Sequence, residues 1–167
     1  QISYDRLKEL NLEAKKRQLD GITADKLQET YVRTLVDTRE LKAVTVCFSD
    51  IEGRFHMLDY DKDYLLKSYD NLTFDGSSIR GFSEVSESDL RLAIDWGSFR
   101  WLPADIFGPG KVIVFGLIND KDGVTYPSDM RGRLKTYLLG LRKDGLVANI
   151  SVELEGFIFK GLNAALL

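Results

Sequence analysis

Apolar side chains recur at helical spacing in the opening stretch of the chain. Leu7, Leu10 and Ala14 fall on one helix face, and Leu27, Tyr31 and Leu35 repeat that spacing further along. Gly21 separates the two stripes, and Thr23 stands where an N-cap is expected. Residues 3–40 are thus expected to form two helices whose stripes serve as packing surface. From residue 42 the pattern changes. Residues 42–49 alternate and are rich in Val and Phe. Ile51-Glu52-Gly53-Arg54 is a turn signal, and residues 55–58 read as the returning strand of a hairpin. Residues 61–68 suit a short helix. Strands are expected at 90–94, 99–102 and 111–118, broken by Asp95-Trp96-Gly97 and Gly108-Pro109-Gly110. Asn119-Asp120-Lys121-Asp122-Gly123 reads as a polar turn. Ser128 is expected to cap a helix running to Lys143, with Leu134, Leu138 and Leu141 on one face and Gly145 as its stop. Residues 147–159 then read as one long strand. Helices, a mostly antiparallel sheet, a helix and a strand make an α+β chain.

Composition narrows the function classes. The 167 residues suit one domain, or one domain with a piece of another. A hydrophobic fraction of 44% is enough for a core. The net charge of -3 lacks the basic excess of a nucleic-acid binder, so no nucleic-acid partner is expected. No apolar run reaches the roughly 18 residues of a membrane span, so no membrane partner is expected either. The lone Cys47 lies in Val44-Thr45-Val46-Cys47-Phe48 and is expected to pack as a small hydrophobe. A reducing, cytoplasmic location is the simplest reading. The chain opens with Gln1 rather than Met, which points to a portion of a longer protein.

Two stretches can carry chemistry. The first is Phe74-Asp75-Gly76-Ser77-Ser78-Ile79-Arg80-Gly81-Phe82, with Glu87-Ser88-Asp89 close behind. Asp-Gly favours a tight turn, because Gly76 tolerates positive φ, and such a loop can fix the direction of Asp75. Asp75 can equally be a turn residue that caps its own backbone. The second stretch is Val152-Glu153-Leu154-Glu155-Gly156-Phe157-Ile158-Phe159. On a strand Glu153 and Glu155 share a face, about 7 Å apart. Such a pair is either a solvated strand face, two carboxylates each paired with a basic side chain, or ligands of a hard cation such as Mg²⁺ or Mn²⁺. His56, alone in the hairpin region, is a surface or packing residue.

The first stretch resembles, almost residue for residue, the N-terminal signature of the glutamine synthetase family, in which Phe-Asp-Gly-Ser-Ser-Ile is followed by a variable residue, glycine and an aromatic. The Glu-Ser-Asp that follows belongs to the likeness. The resemblance covers most of the chain after residue 40: beyond the N-terminal helical segment 1–40 it implies a β-grasp sheet over residues 41–126 and the opening of a truncated catalytic domain over 127–167. It implies ATP-dependent joining of ammonia to glutamate, with Mg²⁺ or Mn²⁺ as cofactor and ATP as a substrate. The family assembles homo-oligomers with active sites between subunits, and activity is expected only from the complete oligomer. By likeness Asp75 binds ammonium and favours its deprotonation, Ser78 helps hold that site, and Gly76, Ser77 and Asp89 belong to the loop and subunit contact. Arg80 takes a variable position and is a surface charge. Glu153 resembles a ligand of the metal beside the nucleotide phosphates, and Glu155 one of the metal beside glutamate. Two departures stand out: Ser151-Val152 where the family often has Gly-Pro, and Gly156 where it usually has an aromatic.

Three functions remain open at this point. One is the N-terminal portion of a glutamine synthetase, inactive by itself. Another is a γ-glutamyl ligase using a different amine. The third is a non-catalytic relative used for assembly or binding, a reading kept open by Gly156, Lys160 and the tail Leu162-Asn163-Ala164-Ala165-Leu166-Leu167.

Overall fold

The structure is a computed structural model that describes residues 2–159 and 161. Lys160 and residues 162–167 lie outside that description. Two compact units divide the chain, Gln1–Lys135 and Thr136–Leu167.

The first unit begins with helices α1 (Tyr4–Leu19) and α2 (Ala24–Asp37). The Ser3 hydroxyl caps α1 by accepting from the Arg6 amide, whereas Thr23 holds the cap position of α2 without a side-chain bond. Five strands follow: β1 (Ala43–Ser49), β2 (Phe55–Asp61), β3 (Leu72–Asp75), β4 (Asp89–Trp101) and β5 (Lys111–Asn119). Helix α3 (Lys62–Ser68) is capped by Asp61, and a short helix α4 (Ala104–Phe107) precedes β5. The strand order is β2-β1-β5-β4-β3. β1 and β5 pair in parallel at the centre, and the other pairings are antiparallel. A mostly antiparallel sheet was the expectation, and the fold class holds.

Both helical stripes face the core, with Leu10 only half-buried at its margin. Leu7, Ala14, Leu27, Tyr31 and Leu35 join Val44, Val46, Phe48, Leu90, Leu92, Val112, Val114 and Ile118 in one core. Each Val, Leu, Ile or Phe side chain among them contributes about 1.5–3 kcal/mol on full burial. Tyr31 stacks on Phe99 with ring centroids 4.3 Å apart, which seats α2 on β4.

Several expectations change. Residues 44–48 do not alternate in burial. β1 lies between β2 and β5, whose side chains flank Thr45 and Cys47, so these two are buried too. Burial pushes the Cys47 thiol up to about 11, in keeping with a packing role. The two strands expected at 90–94 and 99–102 are one strand, because Asp95-Trp96-Gly97 is a bulge and not a turn. There the Ser98 hydroxyl donates to the Asp95 carbonyl at 2.6 Å and accepts from the Phe115 amide at 2.7 Å, replacing lost ladder bonds. Helix α5 (Met130–Lys143) starts after Asp129, not at a Ser128 cap. The buried Asp129 carboxylate accepts from the Ile118 amide at 2.9 Å, tying the helix start to β5. Leu134 is exposed, and Leu138 and Leu141 are half-buried. Residues 147–159 form no strand; they carry no regular secondary structure and are exposed. A strand needs a neighbour for its backbone groups, and the five-stranded sheet β2-β1-β5-β4-β3 does not include this segment. Among the described residues no helix is long and apolar enough to cross a membrane.

Candidate functional site

β3 carries the signature stretch to its loop. Phe74 packs inward against Phe48 at 4.8 Å between ring centroids, which leaves Asp75 at the exposed end of the strand. A 3₁₀ turn, Gly76–Ser78, follows at once. One oxygen of Asp75 accepts from the Ser77 amide at 2.9 Å and from the Ser77 hydroxyl at 2.6 Å. The other accepts from the Ser78 hydroxyl at 2.8 Å. These bonds favour the charged form, so Asp75 titrates below the usual carboxylate range, the Ser77 hydroxyl being the largest cause and Ser78 the next. A carboxylate offers about four lone-pair directions, so this one, exposed and ionised, keeps acceptor capacity for a cation. The turn reading of Asp75 is therefore satisfied in full, and the turn it makes presents a fixed anion to solvent.

Gly76 is needed for a different reason than turn chemistry suggests. Its φ is not positive; the loop's positive φ is at Gly81, 70°. A Cβ on Gly76 would lie 2.6 Å from Leu90 Cδ1 and 2.7 Å from Ser83 Oγ, so the chain crosses a core leucine too closely for any side chain. The Gly76 amide donates to the Ser88 carbonyl at 2.7 Å, and Asp75 pairs directly with Asp89 across the β3–β4 ladder. Cross-strand carboxylates repel, which adds to the negative potential at this end of the sheet. The Ile79 amide donates to Gly76 at 3.1 Å and the Phe82 amide to Ile79 at 3.0 Å, closing the loop in successive tight turns. Arg80 is exposed, as its variable position implies.

Structure thus gathers Asp75, Gly76, Ser77, Ser78 and Asp89 at one sheet end. Glu153 and Glu155 lie in the other unit, both exposed and outside any strand. Their carboxylates are the right donors for a hard divalent cation, but two do not make a site. Among the described residues no group of three or more His, Cys, Asp or Glu is placed to hold a metal ion. No chemical step is assigned to a metal on this geometry.

Residues beyond the signature support the loop. His56 Nε2 donates to Asp50 Oδ2 at 2.9 Å, and the His56 ring stacks on Phe48 at 5.1 Å. The other Asp50 oxygen accepts from the Glu52 and Arg54 amides, each at 2.9 Å, and closes the β1–β2 hairpin. Ser128 Oγ donates to the Phe82 carbonyl at 2.9 Å. Sequence spacing gives no sign of that last bond, since its partners are far apart along the chain.

Residues 40–118 match the family model described as the glutamine synthetase β-grasp domain. This stretch is a glutamine synthetase β-grasp domain. The chain is 35% identical over 129 residues to glutamine synthetase of Methanosarcina mazei, a match covering 75% of this chain and 28% of that protein. It is 29% identical over 128 residues to glutamine synthetase of Thermotoga maritima, covering 76% and 29%. The chain therefore spans under a third of the length of these relatives. Among solved structures, Plasmodium falciparum glutamine synthetase overlays with a TM-score of 0.61 at 19% identity, over 70% of this chain and 23% of that one. That likeness supports the fold.

Proposed function

We propose that the complete protein is an ATP-dependent ligase that joins ammonia to glutamate, and that this chain supplies the ammonium side of its active site. The observation that carries the reading is Asp75: a solvent-facing carboxylate locked by Ser77 and Ser78 within a glutamine synthetase β-grasp domain. In the reaction, glutamate γ-carboxylate takes the γ-phosphoryl group of ATP and releases ADP. Ammonia then attacks the acyl phosphate, phosphate leaves, and glutamine forms. Ammonium must lose a proton before it can attack. Asp75 draws the cation in by charge and holds it while the proton passes to a base. Ser78 holds the second Asp75 oxygen, and Asp89 deepens the local negative potential. Residues 127–167 belong, on this reading, to the start of a catalytic domain, and homo-oligomerisation brings the remaining site residues to Asp75. Glu153 and Glu155 are proposed as two of the Mg²⁺ or Mn²⁺ ligands there, with cytoplasmic ammonium and glutamate as substrates.

Asp75→Asn in the complete protein tests this. An amide keeps a hydrogen-bonding shape but offers no charge to a cation. The expected result is a raised ammonium KM and a lowered rate with nucleotide affinity unchanged. Unaltered ammonium dependence would reduce Asp75 to a turn residue. Turnover with another amine in place of ammonium would select the alternative acceptor, and an inert complete protein would select the non-catalytic reading.

A further inference from the structure

The segment after β5 does more than connect. The Asp120 carboxylate accepts from the Asp122 and Val124 amides and shapes the turn, and Thr125 bridges back to Asn119. The Tyr126 amide donates to the Ile118 carbonyl at 2.9 Å, and the Asp129 amide donates to Tyr126 at 2.9 Å. Asp129 Oδ2 in turn takes the Ile118 amide. Residues 125–129 are therefore pinned to the last central strand at both ends. From that pinned bracket two groups reach the signature loop. The Tyr126 ring stacks on Phe82 at 5.9 Å between centroids and 22° between planes, and Ser128 Oγ donates to the Phe82 carbonyl at 2.9 Å.

Phe82 is the loop's core anchor. It is buried, and its ring also meets Phe48 and Phe74, each at 6.2 Å. Ring contacts fix the depth of a side chain but leave its backbone free to tilt. A hydrogen bond to the Phe82 carbonyl removes that freedom. The tilt matters because the Phe82 amide closes onto Ile79 and the Ile79 amide onto Gly76, next to Asp75. Rotation at Phe82 is passed back through these turns to the Ser77 and Ser78 hydroxyls that hold the carboxylate.

We propose that Ser128 is a positioning residue for Asp75: its hydroxyl, held by the bracket 125–129, sets the tilt of the signature loop from the segment that leads into α5. The structure thus joins the loop to the chain's exit from the β-grasp sheet. This deepens the ammonium-site reading, and its effect on ligation rests on that reading; the mechanical link does not.

The test compares Ser128→Ala and Ser128→Thr with the parent 167-residue chain. Amide hydrogen exchange is followed at Ile79 and Phe82, and the Asp75 carboxyl is titrated by ¹³C NMR. Loss of the hydroxyl is expected to speed exchange at Ile79 and Phe82 about fivefold, the factor that one ordinary hydrogen bond confers. The Asp75 titration should move up toward the ordinary carboxylate range while amides of β1 and β5 keep their rates. Threonine keeps the hydroxyl and should restore both. Unchanged exchange in Ser128→Ala would overturn the proposal. So would a rise shared equally by β1 and β5, since that is general loss of stability. In the complete protein Ser128→Ala should raise the ammonium KM and spare nucleotide affinity. If exchange and titration shift but ammonium use does not, the link stands and the ammonium reading falls.

Discussion

Replacing Gly76 with alanine tests whether the signature glycine is there for space rather than for turn geometry. Its backbone is in a region open to all residues, so alanine brings no φ strain. The added Cβ would meet Leu90 Cδ1 at 2.6 Å, Leu90 Cγ at 3.1 Å and Ser83 Oγ at 2.7 Å. Carbon atoms rest about 3.5–4.0 Å apart, so about an ångström of relief is required. Leu90 cannot swing away freely, because it is buried in the core with Leu72, Leu92 and Phe82. Overpacking of this kind costs about 1–3 kcal/mol. For a chain of this size that is a fall in Tm of about 2–12 °C. Thermal unfolding followed by circular dichroism measures it. A double-mutant cycle makes the cause specific: a Leu90→Ala background removes both Leu90 contacts and leaves only that with Ser83 Oγ, so adding alanine at Gly76 should cost less by at least about 0.5 kcal/mol. A Gly76→Ala protein that melts with the parent would refute the spatial argument. So would an equal cost in both backgrounds.

Two further outcomes follow from named contacts. Asp50 titrates below the usual carboxylate range, first because of His56 and then because the Arg54 and Glu52 amides bond it, so its stabilising effect is present above the unfolded value of about 3.9 and lost as pH falls through the lower folded value; His56→Ala should move the Asp50 titration upward and start acid unfolding at higher pH, read by NMR, and an unmoved Asp50 would assign the whole effect to the amides. In the complete protein Glu155→Ala should weaken Mg²⁺ or Mn²⁺ binding in calorimetric titration with Tm in EDTA unchanged, while parental metal affinity would remove Glu155 from the ligand set.

Much of the first unit was legible because its signals are local. The stripes of α1 and α2, the hairpin turn at 51–54 and the short helix expected over 61–68 all depend on residues within a few positions of one another. The signature loop was legible for another reason: its composition is distinctive enough to be matched, even though the physical role first given to Gly76 was not the one it has. What escaped notice depends on distant partners. The bulge in β4 looks like a turn until Ser98 is seen bonding Phe115 across the sheet. Ser128 looks like a helix cap until Phe82 supplies its acceptor, 46 residues away. Burial of Thr45 and Cys47 follows from β1 lying between two strands, which no window of its own sequence reveals.

The stretch 147–159 shows the same principle in reverse. It has a strand's composition and no strand's structure. Val147, Ile150, Val152, Leu154, Phe157, Ile158 and Phe159 are all exposed. Burying all seven would yield about 10–21 kcal/mol. Fixing thirteen residues costs about 1–2 kcal/mol each, or about 13–26 kcal/mol in total. Full side-chain burial therefore only approaches the cost of ordering the segment; ladder hydrogen bonds from a neighbouring strand make up the difference. The expected outcome is that amides 147–159 exchange at near-unprotected rates in this chain, and become protected in the complete protein as Glu153 and Glu155 come onto one strand face. Hydrogen exchange on both proteins decides it. Protection already present in the 167-residue chain would show that the segment finds its partner within it, and open exchange in the complete protein would remove the strand, and with it the shared face that the two-carboxylate site requires.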